Sequence, residues 1–66
     1  MCRGIKQLRM PDRAATEDEF DAAALQFVRK VSGYRRPSQA NQRAFDRAVR
    51  EISRSSRRLL DSIAVG

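Results

Sequence analysis

The chain has 66 residues, a net charge of +6, one cysteine and no histidine, so it makes one small domain that hides a smaller share of its surface than a typical domain does. That count excludes an internal disulfide and a zinc-type ligand set, and self-association is what remains to supplement so small a core. No apolar run exceeds Ala22 to Leu25, far short of a membrane span, and the opening Met-Cys-Arg-Gly-Ile-Lys lacks the apolar stretch of a signal peptide, which points to a cytoplasmic protein in a reducing compartment.

In chain order, residues 1–15 read as an arm. Ile5, Leu8 and Met10 alternate weakly, as in a short strand or a strip lying on helices, and Pro11-Asp12 marks a turn. Thr16-Glu17-Asp18-Glu19 is a capping box, in which the Thr hydroxyl and the Glu carboxylate each satisfy the other residue's amide. Acids in this first turn also suit the positive end of a helix dipole. The spacing predicts a first helix over 16–33, closed by Gly33 in the left-handed conformation, with Arg29 and Lys30 in its last turn. Its apolar stripe is Phe20, Ala23, Ala24, Phe27, Val28 and Val31. Ala22 and Leu25 lie nearly opposite and need a cover, either the arm or a partner.

Tyr34 to Pro37 form the link, with proline acceptable just before a helix. Ser38 is a good N-cap for a second, long helix over 38–64. Placed at about 100 degrees per residue, Phe45, Ala48, Val49, Ile52, Ser56, Leu59, Leu60 and Ile63 share one side. Arg43, Arg47, Arg50, Arg54, Arg57 and Arg58 share the other. The fold class expected is all-α: residues 1–66 form a single antiparallel helical hairpin with an extended arm. Self-association completes its core, most simply as a four-helix dimer.

Several strings here resemble a known family: Met1-Cys2-Arg3-Gly4-Ile5-Lys6, Ala15-Thr16, Ala22 to Gly33, Pro37 to Asn41, and Ala44-Phe45. Together they are similar to short, mainly bacterial proteins grouped as domain of unknown function 2277, and the likeness covers nearly the whole chain. The resemblance implies no activity, cofactor or partner. Family members usually have Asn where Gly4 stands, Pro-Pro where Arg13-Ala14 stand, and a less basic second helix, which makes the arginine stripe particular to this chain.

Cys2 is the obvious nucleophile, because Arg3 and Lys6 favour its thiolate, yet no histidine exists to act as its base. If Met1 is removed, Cys2 becomes an N-terminus with both amine and thiol, suited to redox sensitivity or docking. The carboxylates Glu17, Asp18, Glu19 and Asp21 are accounted for by capping and the dipole. Gly4, Gly33 and Gly66 are isolated and match no phosphate-binding loop. The reading is therefore a non-enzymatic chain without cofactor or metal.

Two surfaces stand out as candidates. The first gathers Arg29, Lys30, Tyr34, Ser38 and Asn41 at the link, with Leu25 and the arm residues Cys2, Arg3 and Lys6, as a protein-binding end. Its cations and hydroxyls also suit an anion, although caps at a hairpin account for most of them. The second is the arginine stripe. Residues 34–66 carry +5 of the net charge, residues 1–13 carry +3 and residues 14–33 carry −2, a partition that suits a polyanion. Asp46 and Glu51 stand one turn from Arg47, Arg50 or Arg54 and fit helix-surface pairing equally well. Aromatic interleaving for stacking bases is missing, and antiparallel helices are not a sequence-reading unit. The expected function is a protein-interaction module that self-associates and binds an unidentified protein partner. The alternative is a sequence-independent nucleic-acid or ribosome-associated protein using the stripe.

Overall fold

The start of the first helix is fixed by four residues. Thr16 holds an extended backbone, φ −93° and ψ 164°; its Oγ1 accepts from the Glu19 amide at 3.2 Å, and Glu19 Oε1 accepts from the Thr16 amide at 2.9 Å. Two amides that no helical carbonyl can reach are thereby satisfied. In the computed structural model, which describes residues 7–10 and 12–63, helix α1 runs Glu17–Ser32 and helix α2 runs Gln42–Ser62. No strand occurs among the described residues.

Glu19 has a second role that the capping pattern does not reveal. The Arg13 guanidinium meets it fork to fork, Nη1 to Oε1 at 3.1 Å and Nη2 to Oε2 at 2.7 Å, which ties the arm to the first turn of α1. The hydrogen bond to Glu19, and then its charge, raise the Arg13 pKa. Thr16→Ala removes one half of the capping box and is expected to cost about 1 kcal/mol. Thermal melts followed by circular dichroism then show a midpoint lower by roughly 4–8 °C.

Gly33 ends α1 with φ 79°, its amide donating to the Arg29 carbonyl at 2.8 Å. Open space surrounds the place where a Cβ would stand, so glycine is favoured there by backbone conformation alone. The entry to α2 differs from the predicted one. Ser38 precedes a 3-10 turn, Gln39–Asn41, and regular α-helix begins only at Gln42. Ser38 caps no amide with its side chain; its Oγ accepts instead from Asn41 Nδ2 at 3.0 Å. A tight opening turn of this kind is common at helix N-termini and leaves the direction of the chain unchanged.

The helices pack antiparallel, in a register set by two contacts. Ser53 Oγ donates to Asp21 Oδ1 at 2.7 Å, and the Arg57 guanidinium pairs with the Glu17 carboxylate. Glu17 is the first residue of α1, so the part of α2 after Arg57 extends past α1. The buried core is small: Phe20, Ala24 and Val28 on α1 and Phe45 on α2. Ala48, Val49, Ile52, Ser56 and Leu60, all on the predicted stripe, are only half-buried. Phe27, Val31, Leu59 and Ile63 are exposed. A helix buries a stripe at least about 100 degrees wide, and one neighbour covers only part of that.

Candidate interaction surfaces

A two-helix layer has two broad sides, and the helical phase distributes residues unequally between them. One side carries Asp21, Ala22 and Leu25 of α1 with Asp46, Arg50, Ser53, Arg54 and Arg57 of α2. A shallow cleft of about 160 Å³ lies there, lined by Glu17, Phe20, Asp21, Arg50, Ser53, Arg54 and Arg57. Next to it is an open hollow of about 370 Å³, bounded by Asp21, Ala22, Leu25, Asp46, Val49 and Arg50. Leu25 is half-buried at the edge of this hollow, which is otherwise walled largely by charged and small residues.

The other broad side, by the same phase, carries Ala23, Phe27 and Val31 of α1 with Ala48, Ile52 and Leu59 of α2. Phe27 is 44 %, Val31 70 % and Leu59 59 % exposed. By their spacing these residues belong to the apolar stripes, and two helices cannot bury six- and eight-residue stripes between themselves alone.

At the link, hydrogen bonds join Tyr34, Ser38 and Asn41, and Arg29 bonds separately to the backbone of the same turn. Arg29 Nε donates to the Arg35 carbonyl at 3.1 Å. Ser32 Oγ donates to the Val28 carbonyl at 2.7 Å and accepts from the Tyr34 amide at 3.1 Å. Asn41 Nδ2 reaches both Ser38 Oγ at 3.0 Å and the Tyr34 hydroxyl at 3.4 Å. These bonds close the link on itself, so Arg29 Nε, Ser32, Ser38 and Asn41 are used in shaping the turn. Tyr34 and Lys30 are exposed beside them. The remaining residues of the predicted docking end, Cys2, Arg3 and Lys6, lie outside the described residues.

All six arginines of the stripe are exposed, but they divide by partner. Arg47 Nε meets Glu51 Oε2 at 3.3 Å along the helix, and Arg57 pairs across to Glu17. Asp46 turns to Gln42, whose Nε2 donates to Oδ1 at 2.9 Å. Arg43, Arg50, Arg54 and Arg58 form no ion pair among the described residues. The two pairs within or against the stripe are well exposed and contribute little to stability. Among the described residues, no group of three or more His, Cys, Asp or Glu side chains is placed to hold a metal. No helix there is long and apolar enough to cross a membrane.

Comparison with known proteins places the chain in a family. The model of the uncharacterised conserved proteins DUF2277 matches residues 1–65, and the chain belongs to that family. No curated protein and no solved structure matches it.

Proposed function

We propose that this member of the DUF2277 family is a small, non-enzymatic, cytoplasmic protein-interaction module. The observation that carries the reading is the apolar broad side, on which Phe27 and Val31 of α1 and, further along, Leu59 of α2 are exposed. A chain with four buried core side chains among its described residues gains more from covering such a side than from any surface ion pair. The surface suits a protein, whether a second copy of this chain or another, and the hairpin end with Tyr34 and Lys30 extends it.

The non-enzymatic part of the reading rests on where the acids are engaged. Glu17, Glu19 and Glu51 pair with arginines, Asp21 accepts from Ser53, and Asp46 accepts from Gln42. General acid-base chemistry asks for a carboxyl group free to exchange a proton with substrate, whereas these are engaged in caps and pairs that serve the helices. A second reading is favoured by one observation. The unpaired Arg43, Arg50, Arg54 and Arg58 line α2 for about 22 Å, a length that suits a polyanion backbone.

Co-purification from the protein's own cells tests the proposal, using a C-terminal tag so that residue 2 stays free, with and without nuclease. A protein retained at stoichiometric level after nuclease is the expected outcome. Loss of all bound material with nuclease would replace the module with the polyanion reading.

A further inference from the structure

We infer that the occupant of the apolar broad side is a second copy of this chain, so that two hairpins meet face to face across a two-fold axis as a four-helix bundle. This rests on the interaction-module reading and names its partner. The hairpin is a single layer: α1 and α2 lie side by side, and no further helix or strand among the described residues covers either broad side. Helical domains enclose a core between layers, and here the second layer is missing.

The exposed area agrees with that absence. The chain exposes 5622 Å², whereas a compact monomer of its 7.5 kDa mass exposes roughly 4200 Å². The exposed Phe27, Val31, Leu59 and Ile63 belong to that excess, which is larger than the roughly 800 Å² that each partner contributes to a standard interface.

Charge decides between a second copy and a different partner. Two chains of +6 repel unless their cations are kept apart. The helical phase turns Arg43, Arg50 and Arg54 toward the opposite broad side. The apolar side is bordered by both signs, Glu19 and Lys30 on α1 and Glu51 and Arg58 on α2. An acidic partner is drawn to the arginine side, and the apolar side is left to a surface as uncharged as itself, which a two-fold axis supplies. Ala23 and Ala48 near its middle let helices approach closely.

Sedimentation equilibrium of the full chain over a wide concentration range is the test. The expected result is twice the 7.5 kDa chain mass at high concentration, with a melting midpoint that rises with concentration. Leu59→Asp places a carboxylate in the interface from each copy and is expected to raise the dissociation constant by about a hundredfold or more. Leu59 is 59 % exposed in the single hairpin, so the variant keeps its helical circular dichroism; were it to unfold, the wild-type series still decides. A wild-type mass fixed at that of one chain overturns the second-copy assignment. In that event, loss of the captured protein on Leu59→Asp in the nuclease-treated pull-down keeps the module reading alive. Unchanged capture would remove that reading as well.

Discussion

Phe45→Ala is expected to destabilise the chain by about 3–5 kcal/mol. Phe45 is 8 % exposed and is the only buried residue that α2 contributes to the core. Truncating a buried phenylalanine costs about 3–5 kcal/mol, because the lost transfer energy is joined by the cavity left behind. A chain of 66 residues has a total stability of roughly 3–10 kcal/mol, so the substitution removes a third of it at best and all of it at worst. Circular dichroism at the helical minimum is the measurement. The expected signal is a fall in helix content at 25 °C or, at the upper end of stability, a midpoint lower by about 12 °C or more. Gln26→Ala on the exposed face of α1 is the control, with an expected change within about 0.5 kcal/mol. Equal effects from the two would mean that the helices are not held by the core described.

Replacing Arg43, Arg50, Arg54 and Arg58 together by Gln separates the two surfaces. These four are unpaired, so no carboxylate is stranded by the change and helix propensity is nearly kept. Any affinity of the wild-type chain for single-stranded RNA rests on them. With about four phosphates neutralised, it falls by roughly 50-fold between 50 and 200 mM salt. The variant loses that affinity and with it the salt dependence, as filter binding at several salt concentrations will show. Self-association is expected to be unchanged or slightly stronger, because most of these arginines point away from the apolar side and the net positive charge is reduced. A monomeric variant would show that the arginine side, and not the apolar one, is the interface.

Much of this hairpin is legible in its residues, and most of what is not depends on how the two helices meet. The capping box at Thr16 and Glu19 and the left-handed Gly33 are local: each is decided within a few residues, and each stands where the pattern puts it. The 3-10 opening of α2 is local too, yet Ser38 followed by Gln39, Ala40 and Asn41 fits either a direct N-cap or a tight first turn. The Asn41 side chain, bonded to Ser38 and Tyr34, goes with the second.

What spacing alone does not give is register. The pairing of Arg57 with Glu17 and of Ser53 with Asp21 depends on how far the link lets α2 slide along α1. Asp46 shows a separate limit within one helix, since its spacing allows Arg50 or Gln42 as neighbour and the structure selects Gln42. Burial depends on register as well. Leu59 and Ile63 carry the same periodic signal as Phe45, but they extend past the start of α1 and remain exposed. The apolar stripes therefore describe a core larger than one hairpin can close. Of the candidate surfaces, Tyr34, Ser38 and Asn41 meet at the link while Leu25 stands apart at the hollow, the arginines divide into paired and unpaired, and the exposure of the apolar side depends on the packing.

The most direct test of that side is hydroxyl-radical labelling of the full-length protein at high and low concentration, read by mass spectrometry at single residues. In an isolated hairpin Phe27 is 44 % and Leu59 59 % exposed, and both label freely. Covering by a second copy predicts that both are protected at high concentration and become reactive on dilution, with Leu59→Asp making Phe27 reactive throughout. Labelling of Phe27 and Leu59 at the same rate at every concentration would contradict the account, leaving an open apolar side that no second copy covers.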